Sequence, residues 1–204
     1  VTWLLCDYGE VLCVAPPASD RAALTRAAAW NPARGDFWQA YWADRPAYDR
    51  ADLSVEEYWT RLLGSTPPAA QLDELIAADT AGWLHPNRPV MAAAERAGHR
   101  GLRLAILSNA PVEVADRIDE APWLAAFSRR FFSCRLKAVK PETAAYRAVL
   151  DALGAEPGEV IFFDDRPANV AGAAALGIDA RLFRSATQLD QLQRSRDELS
   201  ERHG

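Results

Sequence analysis

Apolar residues along the 204-residue chain form two kinds of run. Short blocks without helical period, Trp3–Cys6, Leu102–Ser108, Arg129–Cys134, Glu159–Asp165 and Asp179–Phe183, predict strands, being too compact for helices and bounded by turn formers. Between them, helical patterns cover Arg88–Gly98, Val112–Asp119, Glu142–Leu153, Pro167–Leu176 and a C-terminal stretch from Ala186. Strands alternating with helices of this length predict an α/β fold, a parallel sheet with helices on both faces.

Residues 15–85 break the alternation and contain only helical candidates. These are "SDRAALTRAAAW" with Ser19 or Asp20 as N-cap, "GDFWQAYWADR", "SVEEYWTRLLG" with Ser54 and Glu57 in capping-box spacing, and "PAAQLDELIAADTAGW". The expected organisation is a core of residues 1–14 and 86–204 with an inserted all-helical cap of residues 15–85. Five of the seven tryptophans fall in the insertion, which predicts a bundle packed with large aromatics. Trp42, Arg45 and Tyr48 are the candidates for lining a ligand cavity there, because Pro46 should interrupt the helix beside them.

A net charge of -5 and a pI near 5.3 argue against a nucleic-acid or anionic-membrane binder, which needs a basic surface to release counterions. No run approaches the roughly 20 apolar residues of a membrane helix, and "VTWLLCDYGEVL" does not read as a secretion signal. Cys6, Cys13 and Cys134 show neither metal spacing nor a paired framework, so a reduced, cytoplasmic protein is expected, with Cys6 and Cys13 as buried small apolar residues. No heptads or long apolar stripe point to an assembly, and the expected state is a monomer or weak homodimer.

In an open parallel sheet, ligands bind beyond the carboxyl ends of the strands. Those positions hold Asp7 after the first strand, Ser108 and Asn109 after the second, and Asp164 and Asp165 after the fourth, with Lys140 just before a helix. Singly, each has an ordinary structural reading as a turn former, a cap or a solvated lysine. Together they form the inventory for holding a divalent cation and a phosphate. Mg²⁺ takes oxygen ligands, which Asp7, Asp165 and the Gly9 carbonyl would supply. Lys140 would neutralise charge, and Ser108 and Asn109 would donate to phosphoryl oxygens.

On these residues the chain resembles the haloacid dehalogenase-like hydrolase superfamily over nearly its whole length. "LLCDYGEVL", "LAILSNA", "KPETAAY" and "VIFFDDRPANV" are similar to its four motifs, in order. The helical insertion is similar to the early all-helical cap of one subfamily, within it the branch of glucose-1-phosphate phosphatase and the phosphatase domain of soluble epoxide hydrolase. The resemblance implies a Rossmann-like core, Asp7 as nucleophile, Mg²⁺ held by Asp7, the Gly9 carbonyl and Asp165, and supporting roles for Asp164 and Asn169, Asp164 pairing with Lys140. It implies a phosphatase acting on a small phosphorylated metabolite, such as a sugar phosphate, through an aspartyl-phosphate.

One position departs from the pattern. Most phosphatases of the superfamily carry a second Asp two residues after the nucleophile, where this chain has Gly9. Three explanations are open: a leaving group that needs little help, Glu10 reaching in at the turn, or a phospholigand-binding protein with little turnover. A 2-haloacid dehalogenase is a further alternative, against which the paired Asp164-Asp165 speaks.

Overall fold

The structure, a computed structural model, describes residues 2–192. Its elements are β1 (Trp3–Cys6), α1 (Ala18–Ala27), α2 (Phe37–Ala43), α3 (Arg45–Asp49), α4 (Val55–Leu63), α5 (Ala69–Gly82), α6 (Arg88–His99), β2 (Arg103–Ser108), α7 (Val112–Asp119), β3 (Arg129–Phe132), α8 (Ser133–Leu136), α9 (Thr143–Leu153), β4 (Val160–Asp164), α10 (Pro167–Ala174) and β5 (Asp179–Leu182). Every strand pair is parallel, in the order β3-β2-β1-β4-β5. The central strands β1 and β4 are buried along their whole length, as continuous apolar runs covered on both faces should be, while edge strand β5 alternates exposed and half-buried residues.

Strand side chains alternate between two apolar layers, as the two-residue period requires. Leu4, Cys6, Leu104, Ile106 and Phe163 pack with α6 and α7 on one face. Trp3, Leu5, Ala105, Leu107 and Phe162 pack with α9 and α10 on the other. A third cluster lies wholly within the segment between β1 and β2 and is built on Phe37, Tyr41, Tyr48, Tyr58 and Trp59.

Most helices of the insertion form where expected, and the differences have local causes. Helix α1 is capped by Pro17, not by Ser19 or Asp20, which lie in its first turn; Asp20 is instead drawn to His85, 2.6 Å away. Pro46 does interrupt the run, but its fixed φ suits a helix start, so α3 begins around it. The Ser54–Glu57 capping box is complete. Strand β3 stops at Phe132 because Ser133 turns into α8, its hydroxyl donating to the Asp49 carbonyl oxygen at 2.6 Å. Of the expected C-terminal helix, residues 187–192 are helical and the remaining tail lies outside the described residues. No helix among the described residues is long and apolar enough to cross a membrane.

Candidate active site

Strand order reverses between β1 and β4, since the chain moves outward through β2 and β3 and returns to β4 on the other side of β1. Loops diverge at such a switch point and open a crevice at the carboxyl ends. The Asp7 amide donates to the Phe163 carbonyl oxygen at 2.8 Å, carrying the strand pairing one residue further and delivering Asp7 beside the end of β4. Carboxylate oxygens of Asp7, Asp164 and Asp165 lie within 4.8 Å of one another.

Lys140 Nζ lies 2.6 Å from Asp7 Oδ1 and 2.6 Å from Asp164 Oδ2. Asp164, fully buried, also accepts from the Arg166 amide at 2.9 Å and from Asn169 Nδ2 at 3.0 and 3.1 Å. Its acceptor capacity is spent on the protein, so it anchors Lys140 and the start of α10. Asp7 Oδ1 accepts from the Tyr8 amide at 2.7 Å as well, and Asp165 forms no salt bridge among the described residues. Three carboxylates thus face one ammonium in a largely buried site, an excess of acid that a divalent cation would offset.

Charge shifts follow from this geometry. Burial, with Asp164 and Asp165 adding to it against the pull of Lys140, pushes the Asp7 carboxyl up to about 7. Burial and Asp164 also raise Asp165. For Lys140, burial opposes the charge but is outweighed by Asp7 and Asp164, and its ammonium is held above the ordinary range. Burial pushes the Cys6 thiol up to about 12 and Cys13 to about 11, which fits the expectation of unreactive buried thiols.

The crevice opens into a cavity of about 640 Å³ between the sheet edge and the helical insertion. Asp7, Gly9, Ser108, Asn109, Lys140, Asp165 and Asn169 line one end of it. The Ser108 hydroxyl makes no hydrogen bond within the described residues. The Asn109 amide has a task that its sequence position did not suggest. It exchanges two 2.9 Å hydrogen bonds with the backbone of Lys140 and so fixes the loop that carries the lysine. Glu10 adopts φ 58°, so strand alternation fails at the turn and this exposed residue lines the same cavity as Asp7.

Trp42 and Arg45 line the insertion side, but Tyr48 does not. Tyr48 is buried, stacked on Tyr58 with ring centroids 4.3 Å apart, and its hydroxyl donates to Glu113 Oε2 at 2.8 Å. It therefore seats the insertion on α7. Arg45 is likewise committed, donating from Nε to Asp49 at 2.7 Å and from its terminal nitrogen to Asp79 at 3.2 Å. Sequence reasoning missed Asp49 and Trp83 on the cavity wall; nothing in their local pattern distinguishes them from bundle residues, since only the fold brings them there.

A parallel α/β core with a carboxylate cluster and a buried lysine at the switch point is an arrangement able to hold a divalent cation and an anionic substrate. A profile of the haloacid dehalogenase-like hydrolase family matches residues 16–177, and the chain belongs to that family. It is 33% identical to bifunctional epoxide hydrolase 2 of Rattus norvegicus over 114 residues, 53% of this chain and 21% of that protein. It is 31% identical to phosphatase MT3486 of Mycobacterium tuberculosis over 112 residues, 54% of this chain and 52% of that one. The chain therefore spans about a fifth of the epoxide hydrolase and about half of the mycobacterial phosphatase. Among solved structures, a haloacid dehalogenase family enzyme of Bacteroides thetaiotaomicron in complex with magnesium and inorganic phosphate shares the fold, with a TM-score of 0.70 at 18% identity over 91% of this chain and 95% of that one. A 2-haloacid dehalogenase of Pseudomonas syringae shares it at a TM-score of 0.63 and 18% identity, over 87% and 84% of the two chains.

Proposed function

We propose that the protein is a Mg²⁺-dependent phosphomonoesterase for a small phosphorylated metabolite, with the helices between β1 and β2 acting as a cap over the substrate. The observation carrying this reading is the division of labour among the acids. Lys140 joins Asp7 to Asp164, Asp164 is consumed by the protein, and Asp165, beside the cavity, forms no salt bridge among the described residues.

Asp7, Asp165 and the Gly9 carbonyl would hold the metal, an all-oxygen set of the kind Mg²⁺ takes. When bound, the cation would offset repulsion between the Asp7 carboxylate and the phosphate. Asp7 attacks phosphorus and forms an aspartyl-phosphate, the bond to the leaving oxygen breaking as the new one forms. Lys140 favours the ionised form of Asp7 against the burial that opposes it, and holds the carboxylate in place. Ser108, its hydroxyl uncommitted, donates to a phosphoryl oxygen, while Asn109 keeps Lys140 in register. Water then hydrolyses the intermediate and frees Asp7.

Phosphate release across a panel of phosphorylated metabolites, with and without Mg²⁺, tests the reading. The expected result is metal-dependent turnover that Asp7→Asn abolishes. Halide release from 2-haloacids without metal, or phosphate binding without turnover of any ester, would overturn it.

A further inference from the structure

The glycine at position 9 is not explained by its backbone. Its φ lies outside the left-handed region, unlike that of five other glycines, so any residue is conformationally admissible there. Space is the constraint. A Cβ built at Gly9 would meet the indole of Trp83, with Cζ3 at 3.4 Å and Cε3 at 3.9 Å. A methyl group fits in ordinary contact, but a longer side chain has to pass the ring.

The backbone that carries that ring is fixed from both sides of Gly9. The Tyr8 hydroxyl donates to the Trp83 carbonyl oxygen at 2.7 Å, and the Cys13 thiol donates to the same oxygen at 3.2 Å. Trp42 stands edge-on to Trp83 at a centroid separation of 6.4 Å, and both indoles line the cavity. An apolar wall thus stands against position 9 on the cavity lining, in the path of any side chain longer than a methyl group there. The other carboxylates on the cavity wall beyond the phosphate end are committed, Asp49 to Arg45 and Glu142 to Arg50, leaving Glu10 as the rival.

Resting on the phosphatase reading, we infer that Trp83 and Gly9 together restrict the enzyme to phosphate esters whose leaving oxygen departs without a proton from the protein, such as aryl, enol or anomeric esters. Asp7 forms its bond to phosphorus as the ester P–O bond breaks. The electron pair stays on the leaving oxygen, which takes its proton from solvent. Water then attacks phosphorus, the bond to Asp7 breaks with its pair returned to the carboxylate, and the proton of water passes to solvent. No base at position 9 assists this second step, and it is common to every substrate.

The test is a leaving-group series with Mg²⁺ present: aryl phosphates of graded phenol acidity, an aldose 1-phosphate and glycerol phosphate. For the wild type, kcat/KM should fall steadily as the leaving group becomes less acidic, with the alkyl ester behind the most acidic aryl esters by at least the ~10² to 10⁴ that general acid catalysis supplies. The acidic esters should share one kcat and show a burst of product as the aspartyl-phosphate accumulates. Gly9→Asp alone should gain little on glycerol phosphate, whereas Gly9→Asp with Trp83→Ala should gain on it selectively. A kcat/KM indifferent to leaving-group acidity, or a dependence that steepens in Glu10→Gln, would overturn the inference while leaving the phosphatase intact. Silence on every ester would instead overturn the reading beneath it. The wild-type series tests the dependence on the leaving group without requiring any variant to fold, and the Gly9, Trp83 and Glu10 variants assign its cause.

Discussion

Lys140 Nζ is shared equally between Asp7 Oδ1 and Asp164 Oδ2, at 2.6 Å from each, with the lysine 4% exposed. Replacing it removes the cation that bridges two buried carboxylates. Breaking a buried pair by deleting one partner costs about 3–5 kcal/mol, because the charge left behind is uncompensated. Lys140→Met should therefore lose turnover and also lower the metal-free denaturation midpoint, read by urea titration. Unchanged stability would mean that the charges are better solvated than the geometry implies.

Asp164 and Asp165 are adjacent and chemically identical, yet they should behave oppositely when made Asn. Asp164 is fully buried and accepts from Lys140, Arg166 and Asn169, so Asp164→Asn should destabilise the protein whether or not metal is present. Asp165 has no salt bridge among the described residues and sits against two like charges. Asp165→Asn should leave the metal-free melting temperature unchanged or raise it, and should remove the stabilisation that Mg²⁺ gives, about 2.7 kcal/mol at 100 times the dissociation constant. Melting curves of both variants with and without Mg²⁺ separate these outcomes.

Proton and metal should compete for Asp7. Its carboxyl is pushed up to about 7 by burial and neighbouring acids, against about 3.9 in an unfolded chain. Between those values the folded protein holds the proton that the unfolded chain has released, so this group's contribution to stability falls as pH rises through that window. In Asp7→Asn, that part of the metal-free pH dependence should vanish. Mg²⁺ binding should release a proton below about pH 7, its apparent affinity falling towards tenfold per pH unit and levelling off above, as calorimetry in buffers of different ionisation enthalpy would report.

Helix α10 approaches the lysine loop so closely that only glycine fits at one position. A Cβ at Gly172 would lie 2.7 Å from the Pro141 carbonyl oxygen and 3.1 Å from its Cβ, one residue from Lys140. Gly172→Ala must push the loop or the helix, and α10 also carries Asn169. Since small misplacements of catalytic groups are costly in rate, this added methyl should lower kcat by an order of magnitude or more while leaving far-UV circular dichroism unchanged.

How much of this was legible in the sequence depended on the range of the determining contacts. The strands showed themselves because Trp3–Cys6 and Val160–Asp164 are buried on both faces and cannot carry a helical period. Asp7, Asp164 and Asp165 were legible because topology alone places strand ends together, and Lys140 because it stands just ahead of a helix in the same alternating pattern. The capping box at Ser54 is written within four residues. What stayed hidden was set by contacts between distant segments. Trp83 meets Gly9 across 74 positions, Asn109 spends its amide on Lys140, and Asp20 leaves its helix end for His85. None of these partners is implied by local periodicity.

Tyr48 separates a substrate contact from a seat for the insertion. Its hydroxyl reaches Glu113 in the first turn of α7, and its ring stacks on Tyr58, so it joins α3 to the core without lining the cavity. Tyr48→Phe keeps the stack and deletes one hydrogen bond to a charged acceptor, a loss of about 1.5–3 kcal/mol when that acceptor is buried and less here, where the contact is only partly so. If the hydroxyl only seats the insertion, KM should rise by the same factor for every substrate, because closure is common to all of them. A residue that touched the leaving group would instead change the ranking of substrates. Steady-state kinetics of Tyr48→Phe and Trp42→Ala on the same panel should show a uniform factor for the first and a substrate-dependent one for the second, since Trp42 lines the cavity and is 41% exposed.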